Sequence, residues 1–290
     1  MNTKGGIGAQ GDKLSYFEIS NVVRLINREV SGKEGAVMIK LILFDISGVL
    51  YENNKPIRRA VDVVNQLQQE STLSLLFVTN SSQMTEQMIY TSLTNFGFHI
   101  EKSQLFTPTT ALKHLLKERG LTPFCIIHPN LEPEFISSDN DKPNAVVVTD
   151  AAEQFNYSKL NSAFELLLNG APLLGIGRNK YFKRGGKFML DAGPFIVALE
   201  YAADVEAEII GKPSASFFMA AVDSVGCRPE QTLMIGDDVE ADVNGALSVG
   251  LQAVLVKTGK YRKGDEQKIN SVDAKVVDSV VGAVSAFLEH

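Results

Sequence analysis

Four polar side chains suited to phosphoryl chemistry each follow a short apolar run of the chain. They are Asp45, Thr79, Lys212 and Asp237. Two carboxylates could supply the hard oxygen ligands that Mg²⁺ takes beside a substrate phosphate. A carboxylate can also attack phosphorus and form an aspartyl phosphate, a role open to Asp45. A lysine ammonium would offset the negative charge of the phosphate and of the attacking carboxylate.

Neighbouring residues extend this candidate site. Residues 79–81 offer hydroxyl and backbone N–H groups that could bind phosphate oxygens. Asp238 directly follows Asp237, and Asp242 comes one helical turn after Asp238. From there the Asp242 carboxylate could orient either the lysine ammonium or water molecules on a metal ion.

Apolar runs alternate with amphipathic stretches along most of the chain. Strands are predicted at residues 39–44, 73–78, 125–127, 145–148, 173–176, 207–210, 233–235 and 252–256. Helices are predicted at residues 58–69, 85–96, 108–118, 157–168 and 196–203. This alternation predicts an α/β fold with a Rossmann-like parallel sheet and helices on both faces. Ligands of such sheets bind at the carboxyl ends of the strands, where all four side chains fall.

The same pattern divides the chain into three parts. Residues 38–119 and 206–290 would form the core, and residues 120–205 an α/β cap domain inserted into it. Residues 1–37 open with a glycine-rich stretch and are predicted to be a flexible extension. Gly6, Gly8 and Gly11 match the pattern GxGxxG, but a dinucleotide site needs a preceding strand and only five residues come before the match.

Charge and composition limit the partners that we expect. With 34 acidic and 28 basic residues the formal net charge is −6, which is unlike a nucleic-acid-binding surface. No apolar run reaches the length of a membrane span, and no signal peptide is apparent, so we expect a cytoplasmic protein without a membrane partner. Cys125 and Cys227 lack metal-binding spacing and are predicted to be reduced thiols.

Four short segments resemble the ordered motifs of the haloacid dehalogenase superfamily of phosphatases. They are residues 45–50 (DISGVL), 78–80 (VTN), 211–213 (GKP) and 236–242 (GDDVEAD). The resemblance extends from about residue 38 to the C-terminus, and the insert resembles the cap of the nitrophenylphosphatase-like branch. It implies Mg²⁺-dependent hydrolysis of a small phosphorylated substrate or a phosphoamino acid, and a homodimer formed through the cap.

The resemblance also implies a role for each matching residue. Asp45 would be the nucleophile and a metal ligand, Asp237 the second carboxylate ligand, and Lys212 the charge neutraliser. Ser47 would lend its backbone carbonyl to the metal. The implied phosphate-binding residues are Ser47, Gly48, Thr79, Asn80, Ser81 and Lys212. The implied supporting residues on the metal side are Asp238 and Asp242.

Ser47 departs from the family pattern, because most of these phosphatases carry an aspartate there as general acid and base. A serine hydroxyl is a very poor acid near neutral pH, and general acid–base help is worth roughly 10²–10⁴-fold in rate. Alkyl phosphates should lose most, since their alkoxide leaving groups need a proton. P–N and phosphoanhydride bonds need it less, so phospholysine, phosphohistidine and pyrophosphate are the predicted kinds of substrate.

Other functions remain open. Ser47 would also suit a phosphate-binding regulatory protein of low turnover, although binding alone would not require Asp45. A general small-molecule phosphomonoesterase or a phosphotransferase would use the same residues. Dehalogenation ranks last, because it has no use for a magnesium site.

Two segments of the insert carry further expectations. Residues 178–187 (RNKYFKRGGK) are basic and aromatic, and form either a solvated loop or a specificity loop over the site. Residues 191–194 (DAGP) resemble the turn at a cap–core hinge. The histidines are dispersed along the sequence and are predicted to be structural or surface residues: His99, His114, His128 and His290.

Overall fold

A computed structural model of the protein describes residues 37–135, 142–178, 180–184, 187–272 and 274–288. Residues 1–36, which contain the GxGxxG match and all but the last residue of the predicted extension, lie outside the described residues, as does His290. Parts of the basic segment 178–187 also lie outside them. Within the described residues, no helix is long and apolar enough to cross a membrane.

Parallel strands in two sheets organise the chain. The strands are β1 (Leu41–Asp45), β2 (Tyr51–Glu52), β3 (Lys55–Pro56), β4 (Ser74–Val78), β5 (Leu105–Phe106), β6 (Pro123–Ile126), β7 (Ala145–Val148), β8 (Leu173–Ile176), β9 (Tyr181–Arg184), β10 (Lys187–Leu190), β11 (Glu208–Ile210), β12 (Thr232–Gly236), β13 (Gln252–Val256) and β14 (Lys275–Val277). The α-helices are α1 (Ala60–Leu67), α2 (Glu86–Asn95), α3 (Pro108–Glu118), α4 (Glu132–Phe135), α5 (Tyr157–Leu168), α6 (Ala192–Ala203), α7 (Ala215–Ser224), α8 (Gly245–Ser248) and α9 (Val280–Leu288).

The larger sheet has the order β14-β13-β12-β1-β4-β5, and its paired strands are parallel. Every residue of β1 is buried, because apolar clusters cover both faces of the sheet. Phe44 packs into one cluster and stacks against Phe77 at 5.8 Å between ring centroids. Leu43 packs into the other cluster with Phe217 of α7. The predicted fold class, a helix-flanked parallel sheet, is confirmed.

The smaller sheet has the order β11-β8-β7-β6 and is also parallel. Its outer strand β11 pairs with β8, with Ile210 opposite Ile176. This strand lies within the segment 206–290 that is predicted to belong to the core, and the prediction is wrong at the level of sheet pairing. Strand-like hydrophobicity predicts that a segment pairs, but it does not identify the neighbouring strand. The division into core and cap otherwise stays a prediction.

The insert differs in another respect from the expectation. Residues 191–194 begin α6 rather than a hinge: the Asp191 side chain accepts a hydrogen bond from Ala192 N at 2.7 Å, and Ala192 and Ile196 are buried in the core of the smaller unit. The chain instead passes between the two sheets after α3 and after β11.

Strand register brings the polar strand ends together. Along the larger sheet Asp45 pairs with Val78, and Phe44 pairs with Ile235. Thr79 and Asp237 therefore emerge beside Asp45 at the carboxyl edge of the sheet. This edge is where parallel sheets bind their ligands.

Candidate active site

A buried lysine joins two carboxylates at the centre of the site. The Lys212 ammonium pairs with Asp45 Oδ1 and lies 2.6 Å from Asp242 Oδ1. The side chains of all three residues are at most 9% exposed. Desolvation offsets much of the attraction within ion pairs so far from water, but removing one member leaves an uncompensated buried charge.

Asn80 holds the lysine segment against the larger sheet. Its amide donates a hydrogen bond to Lys212 O at 2.7 Å and accepts one from Lys212 N at 2.9 Å. Lys212 thereby reaches Asp45 although it follows a strand of the other sheet. Both ends of the Asn80 amide are engaged, so its predicted contact with phosphate stays a prediction.

Asp242 lies on a π-helical turn, Val239–Asn244, that follows β12. Its Oδ2 accepts hydrogen bonds from the backbone N–H groups of Asp237 and Asp238, each at 3.1 Å. Asp238 in turn caps this helix by accepting from Glu240 N and Ala241 N at 3.1 and 3.0 Å. Asp242 orients the lysine ammonium, one of the two roles that its spacing suggested.

Asp237 sits in a tight backbone enclosure and is 2% exposed. Its Oδ2 accepts a hydrogen bond from Lys260 N at 2.6 Å. Gly48 and Gly259 flank the carboxylate with φ angles of +89° and +63°, and a Cβ atom on either would collide with Asp237 Oδ2. Only glycine fits these two positions, because they combine a left-handed conformation with this close approach.

Burial and charge shift the protonation of these groups. Burial raises the pKa of Asp45 to about 6, against the opposing charge of Lys212. Burial and the charges of Asp45 and Asp242 raise the pKa of Asp237 to about 8. Burial alone would lower the pKa of Lys212, but Asp242 and Asp45 outweigh it and raise that pKa. The three buried carboxylates thus outnumber the one buried ammonium, and the excess negative charge lies beside Asp237.

The carboxylates fit a hard divalent cation. One oxygen from each of Asp45, Asp237 and Asp242 lies within 4.8 Å of the others. Asp242 Oδ1 already has its lysine partner, whereas the buried Asp237 Oδ1 has no hydrogen-bond partner in the described structure. A buried carboxylate oxygen without a partner is costly unless a cation satisfies it. Asp45 and Asp237 are therefore the residues that would hold a metal.

Comparison with known proteins identifies the family. Family models described as "Haloacid dehalogenase-like hydrolase" and "HAD-hyrolase-like" match residues 42–139 and 209–283. The chain is 41% identical to the phospholysine phosphohistidine inorganic pyrophosphate phosphatase of Xenopus laevis over 86% of this chain and 95% of that protein. The chain belongs to the haloacid dehalogenase-like hydrolases.

Two further relatives define its place in the family. The haloacid dehalogenase-like hydrolase domain-containing protein 2 of Bos taurus is 39% identical over 87% of this chain and 97% of that protein. The fold is similar to that of 4-nitrophenylphosphatase from Thermotoga maritima, with a TM-score of 0.77 and 22% identity, over 86% of this chain and 97% of that one. The structural similarity concerns the fold, whereas the family models and the 41% identical phosphatase of Xenopus laevis identify this haloacid dehalogenase-like hydrolase as a phosphatase.

A cleft of about 440 Å³ opens above the hydrolase's carboxylates and lies between the two sheets. Most of the predicted site residues line it: Asp45, Ser47, Thr79, Asn80, Ser81, Lys212 and Asp242. Ser47 is exposed there. Gly48, Asp237 and Asp238 do not line the cleft, and the first two lie beneath it. None of the three described histidines lines it, which agrees with the structural or surface roles predicted for them; His99 and His114 are exposed.

Residues of the smaller unit, which comprises the smaller sheet and the helices packed on it, line the side of the cleft opposite the carboxylates. Asp150, at the carboxyl end of β7, lines it and accepts a hydrogen bond from Gln83 of the larger unit. Gly177 and Asp191 of the smaller unit also line it. Substrates must therefore fit between the carboxyl edge of the larger sheet, which carries Asp45, and residues of the insert.

The loop after β13 also belongs to the site, although none of its residues is among the predicted site residues. Thr258 Oγ1 donates a hydrogen bond to Gly48 O, and Lys260 lines the cleft. The sequence signal for this loop is the glycine between these two residues, three positions after the end of the predicted strand 252–256. A Thr-Gly-Lys segment alone is too common to mark a functional loop.

Proposed function

We propose that this hydrolase removes phosphate from small substrates through an aspartyl phosphate on Asp45, with Mg²⁺ held by Asp45 and Asp237. The observation that carries the proposal is the buried Lys212 ammonium shared between Asp45 and Asp242, beside the unpartnered Asp237 Oδ1. Lys212 keeps Asp45 charged against the effect of burial, and a carboxylate nucleophile must be charged.

Each residue then has a defined task in the reaction. An oxygen of Asp45 bonds to phosphorus, the bond to the leaving group breaks, and its electron pair departs with the leaving atom. Lys212 would balance negative charge on the phosphoryl oxygens, and Thr79, which lines the cleft, would hydrogen-bond one of them. The oxygen of a water molecule then bonds to phosphorus, the bond from phosphorus to the Asp45 oxygen breaks, and its electron pair returns to the carboxylate. The proton that the water loses passes to the solvent. When bound, Mg²⁺ would neutralise phosphate charge and hold the group in line with Asp45.

Ser47 supports a preference for leaving groups that need no proton from the protein. It is exposed in the cleft two residues after Asp45, where it offers a hydroxyl but no acid. Among the carboxyl groups lining the cleft, Asp242 is paired with Lys212, Asp150 accepts from Gln83, and Asp191 caps α6. P–N bonds carry their own protonatable nitrogen, and phosphoanhydrides release a stable phosphate, so both suit this site.

The name of the Xenopus laevis relative includes phospholysine, phosphohistidine and pyrophosphate, which agrees with this preference. A regulatory phosphate-binding protein and a general phosphomonoesterase or phosphotransferase are the competing functions. The buried charge network disfavours mere binding, because an anion site gains nothing from a carboxylate aimed at the bound phosphate.

A substrate panel with Mg²⁺ tests the proposal. We expect phospholysine, imidodiphosphate and pyrophosphate to turn over faster than sugar phosphates, with Asp45→Asn as the inactive blank. Ser47→Asp should raise activity on alkyl esters by roughly 10-fold or more if protonation of the leaving group limits the rate. Faster turnover of sugar phosphates by the wild-type protein would contradict the substrate preference, and transfer of phosphate to added alcohols would favour a phosphotransferase.

A further inference from the structure

Lys260 is fixed beside the carboxylates by its backbone. Its N–H group donates to Asp237 Oδ2 at 2.6 Å. The preceding Gly259 packs against Gly48, so closely that a Cβ atom on Gly259 would lie 2.6 Å from Gly48 Cα. These backbone contacts persist whatever side chain occupies position 260, so the side chain can be changed without dismantling the loop.

The Lys260 side chain, by contrast, is held weakly. Among the described residues its ammonium forms one ion pair, with Asp238 Oδ2 at 3.3 Å, and 65% of the side chain is exposed. Exposed ion pairs of this kind contribute little, because water competes for both groups. The ammonium can therefore exchange Asp238 for an anion in the cleft at small cost.

The cleft offers few positive charges for such an anion. Of the described residues that line it, only Lys212 and Lys260 carry a cationic side chain. Lys212 is buried and already pairs with Asp45 and Asp242. Lys260 is therefore the cation in this lining that remains available for a second negative group on the substrate.

We propose that Lys260 determines specificity for substrates whose leaving group is anionic, and that it binds the leaving phosphate of a phosphoanhydride such as pyrophosphate. The inference rests on the function proposed above. Asp45 bonds to phosphorus, the bond from phosphorus to the bridging oxygen breaks, and the electron pair stays on that oxygen as it departs. Lys260 offsets the negative charge on the departing phosphate and transfers no proton to it. A phosphoramidate that leaves as a neutral amine gains much less from this ammonium.

Lys260→Met tests the inference in a comparison of pyrophosphate with phospholysine under identical Mg²⁺ conditions. We expect kcat/KM for pyrophosphate to fall roughly 10- to 100-fold, the range for loss of a charged hydrogen bond. The pyrophosphate-to-phospholysine ratio should fall at least about tenfold, and Lys260→Arg should restore most of it. Lys257→Met is the matched control, because Lys257 lies on the same loop and pairs at 3.2 Å with the exposed Asp278.

Equal losses on both substrates, or no loss on either, would overturn the inference. A wild-type protein inactive on both substrates would contradict the proposed function itself, and the inference with it. A second measurement does not depend on turnover: calorimetry of pyrophosphate binding to the Asp45→Asn protein should show a Kd about tenfold higher when Lys260→Met is added. An unchanged Kd would also count against Lys260 as a pyrophosphate ligand.

Discussion

Lys212 Nζ lies 2.6 Å from Asp242 Oδ1, and the same ammonium pairs with Asp45. Lys212 follows β11 of the smaller sheet, whereas Asp45 is the last residue of β1 in the larger sheet and Asp242 lies on the helical turn after β12. The ion pairs therefore join the two units directly at the nucleophile. Stability and activity should depend on the same ammonium.

Lys212→Met should damage both properties. It leaves two carboxylates buried without their cation, which should lower the free energy of unfolding by about 3–5 kcal/mol. Loss of one preorganised charge should also lower kcat by roughly 10²–10³-fold. Urea unfolding and steady-state kinetics measure the two effects.

Lys113→Met provides the control for that variant. Lys113 pairs with Glu134 at 2.9 Å, but its side chain is 41% exposed. We expect a stability loss of no more than about 1 kcal/mol, because water screens the pair. Similar losses of unfolding free energy in the two variants would mean that the buried ion pairs of Lys212 contribute no more to stability than an exposed pair.

Asp237→Asn should abolish the response of the protein to Mg²⁺. The amide keeps an oxygen acceptor for Lys260 N but loses the charge that a divalent cation needs. We expect Mg²⁺ to raise the Tm of the wild-type protein and to leave the Tm of Asp237→Asn unchanged. Glu240→Gln removes an exposed acidic charge nearby and should keep the wild-type shift. A full shift in Asp237→Asn would remove Asp237 from the metal site.

The metal-free protein should lose stability as the pH rises from 5.5 to 8.5. Burial raises the pKa values of Asp45 and Asp237 from 3.8 to about 6 and about 8. Within this window the folded protein binds more protons than the unfolded chain, so its stability falls as these protons are released. Urea unfolding in a chelator at the two pH values measures the change. The fall should be smaller in Asp237→Asn, and a rise in the wild-type protein would be contrary to these shifts.

Several amphipathic helices and the continuous apolar strands could be predicted from the sequence to within a residue or two. In contrast, α6 begins four residues before its predicted start at residue 196, and α7 and α9 have no counterpart among the predicted helices. The bounds of α3, α5, β7, β8 and β13 coincide with the predicted ranges. These elements have strong periodicity or a fully buried run with polar residues at the ends. The motif residues Asp45, Thr79 and Asp237 follow such strands, which is why their convergence could be predicted.

Weaker signals explain what was missed. β5 and β14 have only two and three residues, and β14 is only half-buried, so neither gives a clear pattern. The assignment of β11 to the larger sheet failed because hydrophobicity does not encode a pairing partner. Lys260 resembles a solvated surface lysine in sequence, and only its backbone contact with Asp237 reveals its place in the site.

The central claim is that Asp45 carries the phosphoryl group, and trapping that intermediate tests it most directly. A rapid acid quench during turnover of pyrophosphate or phospholysine with Mg²⁺, followed by peptide mass spectrometry, should find hydroxylamine-sensitive phosphate on the peptide containing Asp45. Asp45→Asn should show none and should have no turnover. Phosphate on another residue, or turnover by Asp45→Asn comparable with that of the wild-type protein, would contradict the account.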